Sequence, residues 1–219
     1  KYAVREAAYP AYPAEPRFED YFDENGEGDW DTYMAAEDEY LAALQKLGKG
    51  RLDQETAAPV LAFADRTARE IFSDSENRVY SPVSLYAALA MLTETTDGDT
   101  KRQVMDLLAA DDTETLRQQI KDLWIGIYTD DDQSVCRLAN GAFLRENAEV
   151  KQEAVDALAD WHFASSYRVP MGTEEADKAI ASWLNQNTGG LLSEETGDIR
   201  TDKDDLLRLY NTIYYKSGW

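Results

Sequence analysis

Cysteine, histidine and positive charge are all scarce in this 219-residue sequence. Cys136 is the single cysteine, so no internal disulfide can form, and cysteine usage is silent about compartment. His162 is the single histidine, which excludes multi-histidine metal sites and leaves one candidate base for a Ser-His-Asp triad. Lys and Arg total 22 against 43 Asp and Glu, a formal net charge of −21. Such a surface disfavours nucleic acid, whose phosphates need cations, and anionic membranes for the same reason. Solubility is the plain use of this acidity. Long apolar runs are missing too: the longest, VSLYAALAML at 83–92, is too short to cross a bilayer. The sequence starts at Lys1 rather than Met, which leaves a targeting segment upstream open.

Against these shortages stand 43% apolar residues and five tryptophans, a composition that folds. The length suits one large domain or two small ones. Residues 1–50 differ from the rest. AYPAYPAEPRF sets Pro10, Pro13 and Pro16 among tyrosines, which interrupts helices and strands alike. Asp and Glu in this segment number 12 against five Lys and Arg. Residues 31–47 have helical spacing through Tyr33, Met34, Tyr40, Leu41 and Leu44, and the Gly-Lys-Gly at 48–50 stops it. The segment reads as a partly helical, acidic extension before a domain at 51–219. Two placements stay open: an extended preface against the main domain, or a flexible tail.

From residue 53 the periodicity sharpens. DQETAAPVLAFADRTAREIF predicts an amphipathic helix with Val60, Leu61, Ala64, Ala68, Ile71 and Phe72 inward. Arg78–Tyr80 reads as a short β-like entry. Ser81 then caps a helix with Pro82 at its first position, and that helix is apolar nearly all round, as a central helix would be. A short helix capped by Asp99 or Thr100 follows, then one with Leu116, Ile120, Leu123, Trp124 and Ile127 inward. SVCRLANGAFLR at 134–145 alternates as a strand, with Cys136, Leu138, Asn140, Ala142 and Leu144 on one face. KQEAVDALADWHF predicts a helix, SSYRVPM a strand, and TEEADKAIASWLNQNTGG a helix capped by Thr173 and stopped at Gly189–Gly190. The last stretch, DDLLRLYNTIYYKSGW, is a strand with large apolar groups on both faces, as in a central strand covered on both sides. Helices separate the strands and no repeat appears, so the fold class is mixed α+β.

None of the chemically capable residues forms a catalytic set. His162 sits near a helix end with no Gly-x-Ser-x-Gly elbow anywhere, and reads as a surface or packing histidine. Cys136 lies on a strand face among apolar neighbours and reads as a small hydrophobe. TDDDQS at 129–134 lacks the glycine and terminal glutamate of a calcium loop, so it reads as a solvated turn. TDGDT at 96–100 lacks a following Lys-Ser or Lys-Thr for phosphate. The residues describe a protein that is not an enzyme and needs no cofactor or metal.

Five stretches, in order, resemble the serpin family of serine protease inhibitors. ENRVYSPVSLYAALAML carries Asn77, Ser81, Pro82 and Ser84 of its helix signature, and GDTKRQVMDLL is similar to its Gly-x-Thr-x-x-Gln turn. LANGAFL matches its Ala-Asn-x-x-Phe strand through Ala139, Asn140 and Phe143. SWLNQNTGGLL resembles a helix end through Trp183, Thr188 and Gly190, and YNTIYYKSGW its Asn-x-Ile-Tyr-Phe-Lys-Gly-x-Trp strand. The likeness runs from about residue 53 to Trp219, slightly more than half of that fold. Glu94-Thr95-Thr96, Leu191 and Ser217 depart from the pattern at what read as turn or surface positions, and point to a divergent, bacterial-type member.

The resemblance implies N-terminal helices with part of a large central sheet. It also implies a trapping inhibitor, secreted, whose exposed reactive loop is cut by a target serine or cysteine protease and then inserts into that sheet. That loop belongs to a C-terminal part outside this chain, and the 219 residues are expected not to fold stably without it. Ser81, Ser84, Asn140 and Asn211 match the family's shutter, where strands part, and Trp219 its breach, where insertion begins. On the plain reading Ser81 is a helix cap and Trp219 a core aromatic. A non-inhibitory binding module is the competing function, and an interaction module acting through residues 1–50 a third.

Overall fold

The computed structural model describes the chain except for residues 51, 52, 75, 132, 133, 194 and 219 and the side chain of Glu195. Its helices are α1 (Trp30–Leu47), α2 (Gln54–Ile71), α3 (Pro82–Thr95), α4 (Gly98–Leu108), α5 (Thr113–Ile127), α6 (Gln152–His162) and α7 (Glu174–Asn187). Short polar residues start most of them. Side chains of Asp29, Asp53, Ser81, Asp97, Asp112 and Thr173 each accept a backbone N–H from the first turn. The aspartates among them also place negative charge at the positive end of the helix dipole, so part of the acid excess has a local structural use. The cap of α4 is Asp97, not the expected Asp99 or Thr100, because the helix begins two or three residues earlier, at Gly98.

Five strands form one sheet: β1 (Ala3–Arg5), β2 (Thr129–Asp130), β3 (Ser134–Arg145), β4 (Ala164–Val169) and β5 (Leu207–Ser217). β3 is its hub. β5 runs antiparallel along one whole edge of β3, from Ser134↔Ser217 to Leu144↔Leu207. β4 runs parallel on the other edge from Asn140↔Ala164, and β2 pairs there with Val135 and Cys136. Arg78–Tyr80, expected as a β-like entry, joins no ladder among the described residues.

Both faces of β3 are covered, as its buried run from Leu138 to Leu144 requires. α7 lies on one face: Ala176, Ile180, Trp183 and Leu184 pack with Ala139, Phe143, Tyr167 and Tyr210. Gly141 permits this approach, since a Cβ there would stand 2.9 Å from the Trp183 ring. Met91 of α3 and Leu158 of α6 pack on the other face against Ala142, Ala164, Leu207 and Leu209. The inward line of α2 is Val60 and Phe63, so the predicted stripe is turned: Leu61 and Phe72 point to solvent. β5 also departs from the expectation of a strand covered on both sides. Its ladder lies on β3 alone among the described residues, and Ile213 and Tyr215 are exposed.

The N-terminal segment takes the placement against the body. β1 adds antiparallel to the outer edge of β4, and the Arg168 amide donates to the Tyr2 carbonyl at 2.9 Å. Arg5 pairs with Asp156 and Asp160 of α6, and Lys1 with Glu175 of α7 at 2.6 Å. These ion pairs are solvent-exposed to a third or more, so each is worth under about 1 kcal/mol. The aromatic packing carries more. Tyr9 sits 5.1 Å from the Trp124 ring centroid and 6.4 Å from that of Phe163, and Tyr12 packs edge-on to Tyr128 at 5.7 Å. Each such pair adds about 0.5–1.5 kcal/mol beyond its buried area. Lys49, just past α1, donates to the carbonyls of Gly126 and Tyr128 at the end of α5.

Deleting residues 1–12 should therefore uncover the outer edge of the sheet. The Arg168 amide is expected to exchange with deuterium at least tenfold faster, whereas the amides of α3 should keep their protection. Arg5→Ala alone should leave both unchanged, because its exposed ion pairs contribute little.

Candidate conformational site

β3 and β5 stand in a register that sets Asn140 directly opposite Asn211. Both side chains point to the face covered by α3 and α6, where an amide is costly to bury without partners. They satisfy one another: Asn211 Nδ2 donates to Asn140 Oδ1 at 2.6 Å. Asn140 Nδ2 donates in turn to the carbonyl of His162 at 2.6 Å. That carbonyl is one of the orphan acceptors at the end of α6, left over where Phe163 takes left-handed backbone (φ 49°) to turn the chain into β4. Asn140 is 1% exposed, so one buried amide ties a helix end, the hub strand and β5 together. The other acceptor of the pair, Asn211 Oδ1, is buried with no hydrogen-bond partner.

Of the five residues the family likeness suggested, the structure brings these two into contact. Ser81 Oγ accepts from the Ser84 amide at 3.2 Å and so caps α3. Both serines lie half-buried in the first turn of α3, a helix that packs beneath β5, but no hydrogen bond joins either to the asparagine pair among the described residues. Trp219 falls outside the described residues. Cys136 is half-buried at Tyr215 of β5, and burial raises its thiol above the ordinary range, away from the reactive thiolate. In the loop read as solvated, Asp130 pairs with Arg137 at 2.7 Å and Asp131 accepts from the Ser134 amide; residues 132 and 133 lie outside the described set.

Behind the asparagine pair stands a charged cluster that sequence reasoning missed. Glu94 was read as a turn or surface residue; it lies in the last turn of α3 with a side chain only 3% exposed. Arg117 of α5 grips it with Nε at 2.9 Å from Oε1 and Nη2 at 2.7 Å from Oε2. His162 Nε2 lies 3.1 Å from Oε1, and this histidine is fully buried, not at the surface. Burial pushes the Glu94 carboxyl up, but the bonds from Arg117 and His162 outweigh it and bring it down to about 2. His162 Nδ1 is buried without a partner. The signal for this cluster was an acid closing an apolar helix, together with the one histidine placed at another helix end.

Among the described residues no three His, Cys, Asp or Glu side chains gather to hold a metal ion. The serpin family model, described as serine protease inhibitor, matches residues 60–219. This chain belongs to the serpin family. A horse (Equus caballus) serpin, alpha-1-antiproteinase 2, is 30% identical over 152 residues, covering 67% of this chain and 36% of the relative. The hibernation-specific plasma protein HP-55 of Tamias sibiricus is 29% identical, over 82% of this chain and 49% of its own length. Among solved structures, the native state of tengpin, a thermophilic serpin, superposes with a TM-score of 0.69 at 20% identity over 78% of this chain and 44% of that one. The chain thus spans about half the length or less of the serpins it matches. Residues 1–50, with the strand β1, lie outside the family match.

The Glu94 cluster sets a pH dependence whose sign is fixed. A carboxyl held at about 2 in the fold and near 4.5 unfolded stabilises above pH 4.5 and loses that contribution as pH falls toward 2. The shift corresponds to about 3 kcal/mol. Glu94→Gln should lower stability at pH 7 by about 2 kcal/mol or more, since it leaves Arg117 half-covered beside a neutral group. It should also flatten the acid limb of a denaturant-midpoint profile between pH 4.5 and 2, where the parent protein falls.

Proposed function

We propose that this serpin chain is the N-terminal part of a protease inhibitor that traps a serine protease by strand insertion. The observation that carries the reading is the serpin match over residues 60–219, within which the buried Asn140–Asn211 pair joins β3 to β5. Addition of a strand to a sheet gives main-chain hydrogen bonds without new side-chain chemistry, and serpin loop insertion is itself a standing case of it.

On this reading the target protease cuts a reactive loop carried by the part of the fold that this chain does not span. It stays bound as an acyl-enzyme, and the loop enters beside β5. Asn140 and Asn211 act as the shutter, since a pair with one spare buried acceptor can exchange partners as strands part. Ser81 and Ser84 support that shutter from the start of α3. The relatives include a plasma protein by name, which supports secretion of this one. No residue has a catalytic role, and no cofactor is called for.

The test is incubation of the full-length protein with trypsin-like, elastase-like and subtilisin-like proteases. An SDS-resistant complex with one of them, together with a rise of 20 °C or more in the melting temperature of the cleaved inhibitor, is the expected outcome. Cleavage with neither complex nor stabilisation would instead assign a non-inhibitory binding module.

A further inference from the structure

Residues 17–47 carry ten acidic side chains against two basic ones, yet they expose large apolar groups. Phe18 is 42% exposed, Trp30 57%, Met34 51% and Leu41 57%. On the α1 helix Trp30, Met34 and Leu41 fall within one narrow stripe, with Glu37 on one flank and Asp31 and Asp38 on the other. An adjoining side of α1 already has a use, because Tyr40 and Leu47 are half-buried and Leu47 joins the Trp124 cluster. The stripe is therefore not the face that holds α1 in place.

Its head is built rather than loose. Phe18 and Phe22 stack at 4.1 Å, Phe22 meets Trp30 at 4.6 Å, and Tyr33 packs edge-on to Phe18 at 5.8 Å. The Asp23 carboxylate ties the intervening turn by accepting from the amides of Asn25 and Glu27 at 2.9 Å. A fixed tryptophan with half its surface bare is the kind of side chain that anchors an interface.

We infer that this acidic aromatic platform docks a basic face of the target protease, away from the active cleft, with Trp30 filling an apolar pocket there. The inference rests on the protease-trapping reading for the identity of the partner. Charge complementarity decides between occupants. A second copy brings the same −21 charge, and an anionic lipid surface is repelled equally. A Lys- and Arg-rich protein surface is drawn in, and such attraction speeds encounter by an amount that salt removes.

The experiment uses full-length protein and proteases made inactive at the nucleophile, chosen with basic, neutral and acidic surfaces. Binding is measured in 20 mM and 300 mM salt. Two variants are compared with the parent: Trp30→Ser with Met34→Ser and Leu41→Ser, and Glu37→Lys with Asp38→Lys and Glu39→Lys. All these side chains except Glu37 face solvent, and circular dichroism verifies the fold of each. The basic protease should bind at least tenfold more weakly to either variant, and to the parent at high salt, with neutral and acidic proteases unaffected. Equal binding of parent and both variants would overturn the inference, as would a parent dimer that the serine variant dissolves. Failure of trapping reads out separately: inactive basic protease binds and the variants weaken it, yet active protease yields no SDS-resistant complex. SDS-resistant complexes formed at one rate by all three proteins would overturn the docking alone.

Discussion

One buried amide constrains the whole arrangement. Asn140 sits on the hub strand between the buried Leu138 and Ala142, and an unpaired amide there would cost about 1–3 kcal/mol. Its two bonds, to the His162 carbonyl and to Asn211, fix what must stand on either side. The end of α6 must leave its carbonyl pointing at β3, which Phe163 achieves by turning left-handed and stacking on Trp124 at 4.0 Å. β5 must hold the register that puts Asn211 opposite, because a slip of one residue would turn every side chain of β5 to the wrong face.

The two sides of this clasp differ in how firmly they are held. Toward α6 the structure is braced: Glu94 joins α3 to α5 through Arg117 and to α6 through His162, with three contacts on one carboxylate. β4 and the added strand β1 extend the sheet on that side, and α7 covers its face through Trp183. Toward β5, the Asn211 Oδ1 acceptor is buried without a hydrogen-bond partner.

Much of the architecture could be read from residue order. The strand at 134–145 alternates cleanly because β3 meets different layers on its two faces, and Ser81-Pro82 and Thr173 announce their helices by cap chemistry alone. The family likeness supplied Asn140 and Asn211, and their pairing followed from register. Other features depend on contacts that no local pattern carries. Glu94 looked like a surface acid because neither Arg117 nor His162 is near it in sequence. The inward line of α2 was misjudged by one position, since Leu61 and Phe63 are equally apolar and the surrounding helices decide which is covered. β1 is three residues long between tyrosines and prolines, and only the free edge of β4 makes it a strand.

The acidity of the chain divides in the same way between local and collective uses. Four aspartates cap helices, others neutralise Arg5, Arg78 and Arg137, and residues 1–50 hold 12 acids against five bases, −7 of the net −21. The central claim, however, concerns β5. Hydrogen–deuterium exchange of residues 207–217 in the full-length protein, before and after cleavage by a protease it captures, tests that claim most directly. Amides on the edge turned away from β3 should be more protected after cleavage than before it, by a factor of ten or more. Protection that is already complete before cleavage, or that does not change with it, would contradict the account.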